Sequence, residues 1–249
     1  MQYGICNLSI VPLRNEPSDA SELVSQVLYG EIFKVIEQRK NWSKIRLAYD
    51  KYEGWLDNKQ YVEISVDHYD TINAEQPKLS LDLVEFVEDK NQALYPITIG
   101  SMLNGLSLLN HKHDGNIVIT KLPKQHLIET AFLYLNSPYL WGGKTPFGID
   151  CSGFTQMVYK LNGYQLLRDA SQQAKQGEAL SFIEESEPGD LAFFDNNEGV
   201  ITHVGIIMSD NYIIHAHGKV RIDRLDHSGI YNVDKKIHTH KLRVIKKII

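Results

Sequence analysis

The chain has 249 residues, of which 43% are hydrophobic and 23% charged, with 8 prolines, 17 glycines and two cysteines. That length buries a core without staples, and the composition excludes disordered, collagen-like and disulfide-framework chains. With 26 basic against 31 acidic residues the formal charge is −5 and no basic block stands out, so no nucleic-acid partner is expected.

No stretch reaches the roughly 18 uncharged apolar residues of a membrane helix, so no membrane partner is expected either. The start, MQYGICNLSIVPLRNEP, has neither a basic leader nor a sustained apolar stretch. It reads as cytoplasmic, or as periplasmic if a leader has been removed. Cys6 and Cys151 lie far apart in sequence and read as free thiols in a reducing compartment.

From Ile5 to about residue 100 the pattern is one of short β-type runs: Glu31 to Glu37, Trp42 to Leu47, Gly54 to Leu56 and Leu79 to Val87. Turn signals at Tyr29-Gly30, Arg39 to Asn41 and Tyr49 to Lys51 recur about every ten residues, which suits small antiparallel barrels. Residues 1–64 fill one barrel. A polar stretch, Asp67 to Pro77, follows, and a second, shorter barrel is the expectation for 65–121.

After Pro123 the period changes. Leu127, Ile128, Ala131, Phe132 and Leu135 stand at helical spacing, and Asn136-Ser-Pro138 ends that helix. A glycine-rich loop, Trp141 to Gly148, leads to a second helix from Asp150, with Phe154, Met157, Val158 and Leu161 as its apolar stripe and Asn162-Gly163 as its stop. A polar helix near Ser171 to Gly177 and strands at Asp190–Phe194, Thr202–Met208, Tyr212–Ala216 and Lys241–Val244 complete an α+β domain over 122–249.

Cys151 stands at the predicted start of the second helix, with Asp150 as N-cap. Unpaired N–H groups and the helix dipole at that end favour a thiolate, so a lowered thiol pKa is expected. The other reading of Cys151, and the one kept for Cys6, is a small buried hydrophobe. A nucleophilic cysteine needs a base, and the base needs an orienting group. If a three-residue loop centred on Asp210 joins the strand from Thr202 to the one from Tyr212, His203 lies opposite His217 and diagonal to His215, all on one face. Hairpin geometry does not choose between His215 and His217. Three His-x-His pairs, at 111/113, 215/217 and 238/240, allow a metal reading, but no Cys-x-x-Cys or His-Glu-x-x-His accompanies them, and no metal is expected.

Tyr139-Leu-Trp-Gly-Gly143, Asp150-Cys-Ser-Gly-Phe154, Arg168-Asp-Ala-Ser171, Pro188-Gly-Asp-Leu191, His203-Val-Gly-Ile206 and Ile214-His-Ala216 follow one another in the order found in the NlpC-type cell-wall cysteine peptidases, which residues 125–249 resemble. The resemblance implies a papain-like α+β peptidase domain, preceded by one or two all-β SH3-like barrels, with no cofactor. It makes Cys151 the nucleophile, His203 the general base and His215 the residue orienting it.

Within that family the chain resembles enzymes that cut the bond between γ-D-glutamate and a diamino acid in murein tri- or tetrapeptides with a free L-alanine amine. The resemblance implies that Asp169 and a barrel acid, Glu16 or Glu22, contact the amine together with Tyr52. It places Tyr139 near the oxyanion, and Trp141, Asp150, Ser152, Ala170 and Ser171 along the substrate. From the residues alone, Glu16 is a solvated loop acid, Tyr52 a barrel-core aromatic, Asp169 a helix cap and Ser152 a first-turn helix residue. The readings competing with a peptidase in wall-peptide recycling are an inactive wall-binding module and an amidase or acyltransferase on the same fold.

Overall fold

The structure, a computed structural model, describes residues 2–249. It divides into two compact units, one of residues 2–120 with 141–146, the other of 121–140 with 147–249.

In the first unit, strands β1 (Gln2–Ile5), β2 (Ile10–Arg14), β3 (Leu23–Leu28), β4 (Ile32–Gln38), β5 (Trp42–Leu47), β6 (Glu53–Asp57) and β7 (Val62–Ile64) form one antiparallel sheet in the order β3-β2-β6-β5-β4-β1-β7. The period-2 pattern decides which side chains face inward: Ser43, Ile45 and Leu47 of β5 are buried, and they alternate with half-buried or exposed neighbours. Phe33 lies opposite Leu47, and a bulge between Val35 and Glu37 bends β4. Cys6, Val11, Leu13, Val27, Phe33, Ile45 and Leu56 fill the barrel. Each large side chain there contributes about 1.5–3 kcal/mol on burial.

Cys6 is fully buried and its thiol donates to the Leu8 carbonyl, so it is a core residue of this barrel. Gly30 turns the chain between β3 and β4 at φ +76°, and a Cβ there would lie 1.7 Å from the Met102 carbonyl oxygen. Only glycine fits that position.

The segment read as a polar stretch is mostly helix α1 (Val66–Ala74), with the Ser65 hydroxyl accepting from the His68 amide. The helix buries only Tyr69 and Ile72, so it carries too little apolar periodicity to announce itself. Beyond it, β8 (Leu79–Ser80), β9 (Val84–Asp89), β10 (Leu94–Thr98), α2 (Leu106–Leu109), β11 (His111–Lys112) and β12 (Ile117–Val118) make a three-stranded sheet, β10-β9-β11, and a two-stranded one, β12-β8.

The second unit opens with α3 (His126–Phe132). The two-residue strand β14 (Gly148–Ile149) precedes α4 (Cys151–Leu161), and α5 (Ala170–Gln173) follows; β13 (Lys144–Thr145) lies in the 141–146 segment of the first unit. All eleven residues of α4 are buried, because the helix packs against α3 and α5 on one side and the sheet on the other. That sheet comprises β15 (Glu178–Leu180), β16 (Leu191–Asp195), β17 (Ile201–Ile207), β18 (Tyr212–His217), β19 (Lys219–Asp226), β20 (Gly229–Asn232) and β21 (Ile237–Lys247).

The order is β15-β21-β16-β17-β18-β19-β20, and β20 pairs again with β21, so strands β16 to β21 close into a ring. The predicted polar helix is only the four residues of α5, and the strand predicted at 241–244 is eleven residues long because β21 pairs with three neighbours, β20, β16 and β15. Among the described residues no helix is long and apolar enough to cross a membrane.

Candidate active site

Asp150 precedes α4 in extended conformation, and its Oδ1 accepts from the Gly153 amide at 2.6 Å, which satisfies one of the helix's open N–H groups. Arg168, 1% exposed, donates to both carboxylate oxygens of Asp150 at 3.0 and 2.7 Å and to the Ser152 hydroxyl at 3.0 Å. The fork-on-carboxylate pairing fixes the entry to the helix on which Cys151 stands. Asp150 and Ser152 are thus engaged in holding that turn. Sequence reasoning saw Arg168 only as part of a motif; its pairing with Asp150 needs a contact 18 residues away in sequence.

Cys151 is 5% exposed, with its sulfur 4.0 Å from the Thr202 carbonyl oxygen on β17. Burial, and then the nearby Asp150 charge, push the thiol up to about 12 against the pull of the Val204 and Ser152 amides and Arg168. The lowering expected from the helix start alone is therefore reversed by desolvation. The resting sulfur holds its proton. Tyr139, half-buried, has its phenol pKa raised by burial and by its neighbours Cys151 and Asp150, so it stays a hydrogen-bond donor throughout the working pH range.

The hairpin joining β17 and β18 pairs Gly205 with His215 and Ile207 with Ile213, and the Met208 amide donates to the Tyr212 carbonyl. The loop is then Ser209 to Asn211, centred on Asp210, with Asp210 and Asn211 both at positive φ. This register puts His203 opposite His217 and diagonal to His215. The hydrogen bond goes to the diagonal partner: His203 Nε2 and His215 Nδ1 are 2.8 Å apart, whereas the His203 and His217 rings lie edge to face at 6.4 Å.

His215 Nε2 in turn donates to Asp223 Oδ2 at 3.1 Å. Asp223 is fully buried and also accepts from Arg221 Nε and Nη2 and from the Val233 amide. Burial drives the His203 imidazole well below its usual value, reinforced by the neighbouring rings of His215, His240 and His217. His240 stacks on His203 with centroids 4.2 Å apart.

Asp223, Arg221 and His240 were not foreseen as site residues. The signal was present for the first two: a further strand after Gly218 pairs His215 with Arg221 and places Asp223 one diagonal step away. His240 had a signal only as half of a His-x-His pair. Its pair-mate His238 pairs with Asp226 at the surface, and His111, of another such pair, bonds the Tyr29 hydroxyl and lies against the Tyr29 and Tyr95 rings. Among the described residues no group of three or more His, Cys, Asp or Glu side chains is placed to hold a metal ion.

Asp169 caps α5 in a capping box with Gln172; Ala170 is buried and Ser171 exposed. In the first unit, Glu16 is exposed in the loop after β2, and its amide donates to the Ser21 hydroxyl. Tyr52 is half-buried against the barrel core, its amide donating to Asp50. Trp141, largely exposed, donates from its indole to Glu22 at 2.7 Å, and Lys144 is buried with Glu31 at 3.3 Å.

Residues 136–239 match the NlpC/P60 family, and residues 13–60 match the bacterial dipeptidyl-peptidase SH3 domain. A gamma-D-glutamyl-L-lysine dipeptidyl-peptidase from Bacillus cereus is 27% identical over 80% of this chain and 68% of its own length. Dipeptidyl-peptidase 6 from Lysinibacillus sphaericus is 29% identical over 85% and 87%. The crystal structure of an NlpC/P60 family protein from Bacillus cereus superposes with a TM-score of 0.83 at 22% identity, covering 99% of both chains, and so shares the fold. An all-β SH3-like region thus precedes an α+β domain, and residues 136–239 form an NlpC/P60 cysteine-peptidase domain.

Proposed function

We propose that the protein hydrolyses the γ-D-glutamyl–diamino acid bond of short murein peptides that begin with a free L-alanine amine, in the recycling of cell-wall peptides. The observation that carries this reading is the hydrogen-bonded line His203–His215–Asp223, whose first member follows Thr202 on β17, the residue whose carbonyl lies against the buried Cys151 sulfur. The name of the Bacillus cereus relative, a gamma-D-glutamyl-L-lysine dipeptidyl-peptidase, supports the substrate class, and that of the Lysinibacillus sphaericus relative the release of a dipeptide.

In this reading the Cys151 sulfur attacks the γ-carbonyl of D-glutamate as its proton passes to His203. Because the thiol is raised and the imidazole lowered, transfer accompanies attack and does not precede it. His203 then gives the proton to the departing amine of the diamino acid, leaving an acyl-enzyme. Water, deprotonated by His203, releases L-Ala-D-Glu and restores the thiol.

The Cys151 amide at the start of α4 and the protonated Tyr139 phenol are the oxyanion donors in this scheme. Asp169, with Glu16 or Glu22 and Tyr52, reads the substrate amine; Trp141, Asp150, Ser152, Ala170 and Ser171 complete the proposed substrate-binding set.

The test is mass spectrometry of L-Ala-γ-D-Glu-L-Lys and its meso-diaminopimelate counterpart, each beside an N-acetylated copy, with native protein and Cys151→Ala. Release of L-Ala-D-Glu from the free-amine peptides only, and none by the variant, is the expected result. Full activity in Cys151→Ala rules out the mechanism. Turnover of polymeric wall in preference to short peptides rules out the recycling role.

A further inference from the structure

Asp223 is an acceptor only. Its Oδ2 takes the His215 Nε2 proton and the Arg221 Nε proton; its Oδ1 takes protons from Arg221 Nη2 and the Val233 amide. The carboxylate is therefore ionised and neutralised by a bidentate guanidinium inside the fold, with neither side chain group left to turn. This geometry fixes a proton on His215 Nε2. Arg221 is partly exposed and also pairs with Asp234, but the His215 ring itself has no exposed surface, and burial disfavours a second proton on it, so the neutral ring is the stable one and its Nδ1 carries a lone pair. The only partner of that lone pair in the chain of contacts is His203 Nε2, 2.8 Å away, which must then carry a hydrogen.

We infer that Asp223, held by Arg221, is a positioning residue that sets the tautomers of both histidines, so that His203 keeps its Nε2 proton and exchanges the catalytic proton through Nδ1 alone. The inference rests on His203 being the base of the proposed reaction, but the tautomers themselves do not depend on any substrate. Directionality thus arises on β19, two hydrogen bonds beyond the base.

Asp223→Asn reverses the relay with little change in shape. Placing the amide nitrogen at the Oδ1 position would oppose two donors, Arg221 Nη2 and the Val233 amide. At the Oδ2 position it opposes one, Arg221 Nε, and donates to His215 Nε2. The second orientation is favoured, which forces the His215 proton to Nδ1 and makes His203 Nε2 the acceptor. His203 then holds its own proton on Nδ1 and cannot act as base.

The experiment is long-range proton–nitrogen NMR of histidine-labelled full-length protein at neutral pH without substrate, with kinetics on L-Ala-γ-D-Glu-L-Lys. In the native protein both His203 and His215 are expected to be protonated on Nε2, whether or not His203 is charged. In Asp223→Asn both protons move to Nδ1, and kcat falls about 10³–10⁴-fold with KM little changed, the scale of loss when a catalytic base is held in the wrong tautomer.

A native His215 protonated on Nδ1 overturns the inference, as does a folded Asp223→Asn with native tautomers and native kcat. Should the variant not fold, the native spectrum decides alone. Should the peptide not be cleaved by the native protein, the functional reading fails while the spectrum still tests the relay.

Discussion

Arg168→Met is expected to destabilise the protein by about 3–5 kcal/mol, the cost of removing one partner from a buried ion pair. The magnitude follows from the surroundings: Arg168 is 1% and Asp150 7% exposed, both Asp150 oxygens accept from the guanidinium, and the same group donates to Ser152. Methionine keeps the apolar stem but leaves the Asp150 charge in a buried site without that cation. Asp150→Asn alone keeps the cap, because an amide oxygen can still accept from the Gly153 amide.

In the double variant no uncompensated charge remains, so it is expected to lose about 2 kcal/mol less than the sum of the singles. Urea unfolding at neutral pH measures all four proteins, and melting should fall by about 6–20 °C for Arg168→Met given about 2–4 °C per kcal/mol at this chain length. A loss below about 1 kcal/mol in the single variant, or strict additivity in the double, would refute the assignment of this pair as the clamp on the start of α4.

Stability is expected to fall as pH rises above 9, in part through Cys6. Its folded pKa is raised to about 12 from 9.0, so the unfolded chain loses that proton first and gains about 1.4 kcal/mol per pH unit between those values. Cys6→Ala should remove one thiol's share of that slope in denaturant titrations; an unchanged slope would contradict it. His240→Ala opens the stacked face of His203 to water, and since burial is the main cause of its lowered pKa, the acid limb of kcat/KM should move up toward 6.5. An unmoved limb in a pH-rate profile would show that the stack does not shield the base. Gly30→Ala should cost more than about 2 kcal/mol by chemical denaturation because of the Met102 carbonyl, whereas Gly199→Ala, at the same φ of +76° but with nothing within 4 Å, should cost only the backbone penalty of about 1–2 kcal/mol. Equal losses at the two glycines would count against the packing argument.

Local rules made part of this molecule legible in its sequence. The α4 cap is readable because Asp150 precedes an apolar stripe at helical spacing, and the β17–β18 register is readable because Ser209-Asp-Asn211 leaves only one short loop. Helix α1 hid because it buries two side chains and is otherwise polar. Strand β19 hid because it is rich in charge, with Arg221 and Asp223 held by each other, and β20, the four residues Gly229–Asn232, is too short to show a period. The thiol shift is the clearest failure of local reasoning. A helix start favours the thiolate, but whether the residue is dry depends on β17, and sequence proximity carries no information on that.

The strands that carry His203, His215 and Asp223 follow one another directly, joined by the loop Ser209 to Asn211 and by the turn at Gly218. The base, the histidine that orients it and the carboxylate behind them therefore occupy one unbroken stretch from 203 to 223, whose working parts are defined by spacing. Exchanges at its exposed turn positions are tolerable, but inserting or deleting a single residue in either turn would rotate one strand by half a pleat and send its polar groups to the opposite face. Over evolutionary time this segment should vary at those turns in composition while remaining closed to changes in length.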